Sequence, residues 1–204
     1  IVTAHCPNTG SMMGLLDVGN EVFISKNDNP KRKLKYTLEI IKVKKNLVGV
    51  NTHFANKIAF HGLSKNLVSE IKNNDTIKPE VFFNKETRFD FLIEKNKHKI
   101  FVEVKNVTLF RNKKIAEFPD AITSRGSKHL KTLIEATKKG YKTYLLFLVQ
   151  IQGIENFKIA KDIDEEYYKN YILAKKAGVN FLVYRCKINS KEIKIEKKIK
   201  IIND

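Results

Sequence analysis

Three polar side chains interrupt two apolar runs of the chain. Asp90 stands within Arg88-Phe89-Asp90-Phe91-Leu92-Ile93-Glu94, and Glu103 and Lys105 stand within Phe101-Val102-Glu103-Val104-Lys105. Two carboxylates held close together repel unless a cation lies between them. A hard cation such as Mg²⁺ takes carboxylate and carbonyl oxygens and keeps several waters. A lysine beside it can orient or deprotonate water, or stabilise a phosphate in transit. A plain hairpin with a wet polar face is the alternative, because surface carboxylates usually mean solvation.

The elements that must position these groups are two short strands rich in apolar and β-branched residues. Lys95-Asn96-Lys97-His98-Lys99 is a polar connection of hairpin length. Side chains alternate faces along a strand, so Glu103 and Lys105 share one face and Val102 and Val104 take the other. Asp90, between Phe89 and Phe91, is alone on its face. A helix follows. Pro119-Asp120 marks its start, with Asp120 as the cap, and Gly140 ends it. Ile122, Gly126, Leu130, Leu133 and Thr137 fall on one stripe that goes to the sheet. Arg125 and His129, four apart, share the neighbouring stripe near the helix N-terminus, where the dipole favours anions. Arg125 suits bidentate phosphate contact, and His129 can shuttle a proton or bond a phosphate oxygen. The alternative makes Arg125 a structural partner of Glu103 or Asp90 and His129 a satisfied boundary residue.

Arg88-x-Asp90-Phe91 followed by Glu103-Val104-Lys105 resembles the PD-(D/E)XK nuclease core. Longer runs are more specific: Val102 to Leu109, Ala116-Glu117-Phe118-Pro119-Asp120-Ala121-Ile122-Thr123, Arg125-Gly126, His129-Leu130, and His5-Cys6-Pro7-Asn8-Thr9-Gly10-Ser11-Met12 near the start. These resemble the bacterial sugar fermentation stimulation protein A family over almost the whole chain. The chain departs from that pattern at Ala55, where the family has Pro, and at Phe82 and Asn84. The resemblance implies a partial OB-like β-barrel ahead of a restriction-endonuclease-like α/β/α sandwich. It favours functional roles for Arg125 and His129. The site it implies has Asp90, Glu103 and the Val104 carbonyl as ligands of Mg²⁺, with Mn²⁺ as the substitute ion. Lys105 then sits at the attacking water, Arg125 at the scissile phosphate and His129 near its oxygens. Glu80 matches an acidic family position before the hairpin, as a further ligand or a plain strand carboxylate.

The rest of the chain reads as follows. Residues 1 to about 45 are all-β, with strands at Val22–Ser25 and Leu38–Val43, followed by Leu47–Val50. Lys26 to Lys33 is a turn-rich basic loop; with Lys35 it places Lys31, Arg32 and Lys33 close together for nucleic acid, or simply in solvent. His5, Asn8, Thr9, Gly10 and Ser11 form a polar knot, either a phosphate contact or a capped turn. Ile1–His5 reads as mid-strand, so the chain is expected to be a fragment, and the resembled family has a further N-terminal stretch. Residues 51 to about 78 read as mostly helical, capped by Asn51 or Asn56 and stopped at Asn73-Asn74-Asp75. A turn is expected at Arg111-Asn112-Lys113-Lys114. Tyr144–Val149 suits the middle of a sheet covered on both faces. Asp164 caps a further helix that Gly178 ends, Asn180–Cys186 is a buried strand, and residues 188–201 form a charged edge strand.

The formal charge of +17 favours an anionic partner, nucleic acid first. Only five of the 39 basic residues are arginine, and abundant Lys, Ile and Asn also fit an AT-rich genome. Cys6 and Cys186 lie far apart and outside any CxxC, which fits two free thiols in a reducing cytoplasm and no zinc site. No apolar run reaches about 20 residues, so no membrane span is expected, and no signal peptide opens the chain. The expected architecture is an OB-like domain over 1–50 and a nuclease-like domain over 51–204. The expected function is DNA binding, which the resemblance links to regulation of sugar use. An active Mg²⁺-dependent nuclease is the first alternative, and an interaction module with only structural charge the second. No helix-turn-helix or finger motif is found that would set a sequence preference.

Overall fold

The structure is a computed structural model that describes residues 1–112 and 114–202. In chain order its first elements are β1 (Ala4–His5), β2 (Glu21–Lys26), β3 (Tyr36–Val43), β4 (Asn46–Gly49), α1 (Thr52–Ser64), β5 (Thr76–Phe82), β6 (Arg88–Lys95) and β7 (His98–Val107). Then come β8 (Leu109–Asn112), β9 (Ile115–Phe118), α2 (Ser124–Lys138), β10 (Lys142–Val149), β11 (Asn156–Ile159), α3 (Glu165–Lys176), β12 (Asn180–Ile188), β13 (Ile193–Lys198) and β14 (Lys200–Ile201).

The molecule is built on a six-stranded sheet in the order β13-β12-β10-β7-β6-β5. The apolar run of β10 lies at its centre, parallel to both β7 and β12, while β13, β6 and β5 join antiparallel. Only a strand covered on both faces can be apolar at every position, and β10 is buried from Thr143 to Val149. One face carries α2 and α3 over Phe101, Leu130, Leu145, Phe147 and Tyr167. The other carries α1 over Val102, Val104, Leu146 and Leu148. Strands β1 to β4 form a small separate sheet, whose Ile41 and Val48 join the first of these cores. A third sheet, β14-β11-β9-β8, was not foreshadowed by the sequence pattern, and it draws Lys200–Ile201 away from the edge strand expected over 188–201. No helix among the described residues is long and apolar enough to cross a membrane.

The β6–β7 hairpin is present, and its turn is tighter than expected. Asn96 and Lys97 alone make it, both with left-handed φ (49° and 66°), as a two-residue primed turn requires, so His98 and Lys99 belong to β7. Two helix readings are corrected. Helix α1 stops at Ser64, and Asn66 with φ 57° turns the chain away. Leu67, Val68 and Ile71 kept helical spacing because Val68 and Ile71 still bury, but in irregular backbone. Helix α2 begins at Ser124, and its cap is Thr123, whose hydroxyl accepts from the Gly126 N–H at 3.0 Å. Asp120 is not the cap, and Ile122, outside the helix, is 82% exposed instead of facing the sheet. At the expected turn over 111–114, Arg111 and Asn112 end β8, and Lys113 lies outside the described residues.

Candidate functional site

Asp90 occupies a fork in the sheet. The β6–β7 ladder ends at the Phe91↔Val102 pair, and the strands separate beyond it. Strict alternation also fails there: Phe89 packs into the α2–α3 core and Phe91 into the α1 core. On the other side, Pro79 pairs Phe91 and Val81 pairs Phe89, so Glu80 stands across from Asp90 with a left-handed φ of 53°. The kink turns the Asp90 carboxylate into the fork. Its Oδ2 accepts from the Val104 N–H at 2.7 Å and its Oδ1 from the Asn56 amide at 2.8 Å. Both donors are neutral. Burial, and then the charge of Glu103, push the Asp90 carboxyl up to about 6, against the opposing pull of these two bonds and of Lys105.

Glu103 and Lys105 share the face of β7 toward α2, as alternation requires. Glu103 is only 2% exposed. Lys105 Nζ donates to Glu103 Oε1 at 2.7 Å and lies 3.1 Å from His129 Nδ1, which itself meets the same Oε1. Burial alone would raise the Glu103 carboxyl, but Lys105 and His129 together hold it below the ordinary range. The two carboxylates thus differ: Glu103 is compensated by cationic or polar side chains, and Asp90 is held by neutral donors only. Among the described residues, no three His, Cys, Asp or Glu side chains converge as a ready-made cage. A cation here would take oxygens from Asp90, Glu103 and the Val104 carbonyl, and water for the rest.

Arg125 is exposed on the first turn of α2 and bonds neither Glu103 nor Asp90, so it is no structural partner of either. Asp120 fastens the N-terminal loop to this end of α2. Its Oδ2 accepts from the Met12 N–H at 3.3 Å and its carbonyl from the Ser11 hydroxyl at 2.6 Å. Gly10 passes so close that a Cβ there would stand 2.4 Å from Asp120 Oδ2. Asn8 makes a local turn: its Oδ1 accepts from the Gly10 N–H at 2.9 Å, and its amide donates to the Val50 carbonyl at 3.1 Å. The knot over residues 5–11 is therefore a capped turn tied to its surroundings.

Glu80 pairs with Arg88 at 3.4 Å, and the Arg88 guanidinium lies 5.3 Å from the centroid of the Phe82 ring. Glu80 and Asp90 line one cleft of about 310 Å³ with Asn56, Lys57 and Phe60. A second cleft, of about 340 Å³, lies between the small sheet and α1, with His5, Arg32 and Lys57 in its wall. Lys31, Lys33 and Lys35 of the basic loop are exposed, whereas Arg32 donates to the Thr37 hydroxyl at 2.9 Å. Asp90, Glu103, Lys105 and His129 are therefore gathered at one place, and neither the basic loop nor Arg125 bonds any of them. Sequence reasoning named Asn56 as a possible cap of α1 and missed it as the partner of Asp90; the cap is Asn51, and Asn56 lies inside the helix among the buried Ala55, Ile58 and Ala59.

The chain matches the family described as "Sugar fermentation stimulation protein RE domain" over residues 53–192 and "SfsA N-terminal OB domain" over residues 1–50. It is 84% identical to a sugar fermentation stimulation protein homolog of Pelagibacter ubique, over 100% of this chain and 88% of the relative. It is 42% identical to a homolog of Pseudoalteromonas atlantica, over 98% of this chain and 87% of the relative. Among solved structures, that of Pyrococcus furiosus SfsA in complex with Ca²⁺ superposes with a TM-score of 0.90 at 25% identity, over 99% of this chain and 86% of the other.

Proposed function

Because the chain belongs to the sugar fermentation stimulation protein family, we propose that it binds DNA beside a divalent-cation site made by Asp90 and Glu103. One observation carries the cation site: the Asp90 carboxylate, pushed up to about 6, has only neutral hydrogen-bond donors while the Glu103 charge lies beside it. Two carboxylates and a backbone carbonyl are the oxygen donors a hard cation prefers. The Pyrococcus furiosus relative, whose structure holds Ca²⁺, supports the same chemical class of ion for this chain. The binding surface is the exposed Lys31, Lys33 and Lys35, with Arg32 behind them and Arg125 at the N-terminus of α2, in a chain of net charge +17.

A second reading is cleavage of the bound DNA. It is favoured by Lys105 Nζ standing 2.7 Å from Glu103 Oε1, where it can orient a water that attacks a phosphodiester. Mg²⁺, when bound, would supply positive charge to the phosphate oxygens and acidify that water. Arg125 would draw the phosphate to α2, and His129 would hold Lys105 and Glu103 in register. The test is an assay of single-stranded, duplex and supercoiled DNA with Mg²⁺ or Mn²⁺, beside a Glu103→Ala/Lys105→Ala variant. The proposal expects all forms to be bound by both proteins and any cleavage to vanish in the variant. Equal cleavage by both would assign the activity to a contaminant. Failure to bind any form would leave the interaction-module reading, which the closure of Lys105 and His129 onto Glu103 favours.

A further inference from the structure

Helix α1 leaves two phenylalanines in water. Phe54 is 39% exposed and Phe60 42%, on a helix whose other large apolar residues, Ile58 and Leu63, are buried. Lys57 lies midway between them in sequence, and its ammonium stands 5.0 Å from the centroid of the Phe54 ring. Residues three apart are neighbours on a helix surface, so Lys57 flanks both rings. Each ring also stands in the wall of a cleft. Phe54 belongs to the 340 Å³ cleft with Arg32, and Phe60 to the 310 Å³ cleft with Asp90, while Lys57 walls both. The centroid of the Phe60 ring is 6.2 Å from that of Phe91, so it continues the aromatic lining into the fork where Asp90 sits.

We infer that this ridge of α1 is a stacking platform for unpaired bases, and that the strand reaching Asp90 does so single-stranded. The inference rests on the DNA-binding reading and adds the form of the substrate. A duplex turns its phosphates outward, and a phenyl ring gains nothing from them. A base offers its π-face only once it has left the stack, and single-strand binders join such rings to a basic groove. A lone exposed phenylalanine needs no explanation. Two of them, flanking a lysine and joining a basic cleft to a pair of carboxylates, form a continuous track of the required chemistry. Phosphates would follow Arg32 and Lys57, and bases would lie against Phe54 and Phe60. Besides Asp90, the two clefts are lined by Glu39, which accepts from the Ser25 hydroxyl and the Asn51 amide, and by Glu80, which is paired with Arg88.

The test compares a single-stranded oligonucleotide carrying 2-aminopurine with its duplex, for the unaltered chain and for Phe54→Ala/Phe60→Ala. The single-strand affinity is expected to fall roughly 10- to 100-fold with loss of the stacking quench, while duplex affinity stays within about twofold. Phe54→Leu/Phe60→Leu keeps the apolar bulk and must show the same loss, which separates stacking from damage to the fold, and Phe54→Trp/Phe60→Trp must restore binding. An equal loss on both DNA forms, an unchanged single-strand affinity, or full binding by the leucine variant overturns the inference. Tight duplex binding by the unaltered chain without single-strand binding would also overturn it and leave the wider reading standing. Binding of neither form would bring down both.

Discussion

At the scale of single residues, the site is an asymmetric pair of carboxylates. Glu103 is held low by Lys105 and His129. Asp90 is pushed from 3.8 up to about 6 by burial and by Glu103. The consequence for stability has a definite sign. Between about pH 4 and pH 6 the folded chain holds a proton on Asp90 that the unfolded chain has lost. Stability from this group is therefore greatest in acid and declines as pH rises through about 6. A shift of this size corresponds to about 3 kcal/mol as an upper figure. Denaturant unfolding in a chelator should show Asp90→Asn gaining on the unaltered chain by up to that amount between about pH 4 and pH 7. Parallel curves for the two proteins would show that Asp90 ionises normally. The types and spacing of Asp90, Glu103 and Lys105 drew them out of two apolar strands but left a plain wet hairpin as the alternative, and the longer family-like runs were what favoured a site. Asn56 was not legible, since its contact with Asp90 spans 34 residues. Nor did alternation along β6 show the kink at Asp90, which depends on Glu80 across the ladder.

At the scale of elements, caps decide where α2 and α3 begin. Asp164 serves both: its Oδ1 accepts from the Tyr167 N–H at 2.8 Å to cap α3, and its Oδ2 accepts from the Thr123 N–H at 2.8 Å ahead of α2. Asp164→Ala should therefore cost about 2–4 kcal/mol, more than the roughly 1 kcal/mol of an ordinary cap, because two charge-assisted bonds go together. A thermal or urea melt checks this, and a loss no larger than that of Thr123→Ala would show that the second bond contributes nothing. The α3 cap was readable because Asp164 is followed at once by Glu165 and Glu166, and nothing else competes for it. The α2 cap was misread. Asp120 after Pro119 has the local signature, but the Met12 N–H and the Ser11 hydroxyl, more than a hundred residues away, claim it. The end of α1 was misread for a related reason. Val68 and Ile71 bury as they would in a helix, so burial rather than helical backbone set the spacing.

For the whole molecule, the central mixed sheet was legible from the unbroken apolar run of β10 and the charged alternation of β13. Both reflect burial, and burial is written in residue type. The third sheet was not, since β9, β11 and β14 are short and their pairing depends on long-range register. Net charge was legible, but its reason was not, because lysine excess can come from genome composition as well as from a partner. We propose that it serves to hold phosphate. If Lys31, Arg32, Lys33, Lys35 and Arg125 each neutralise one phosphate, the logarithm of duplex affinity should fall against the logarithm of salt with a slope of about −4 to −5. Replacing Lys31, Lys33 and Lys35 together by alanine should reduce that slope by about three contacts' worth, roughly to −2, without unfolding exposed positions. The most direct measurement is the anisotropy of a labelled duplex titrated with the chain from about 50 to 200 mM salt, with and without Mg²⁺. Binding at low salt that weakens along the steep slope is the expected result. No binding at low salt, or an affinity indifferent to salt, would contradict it.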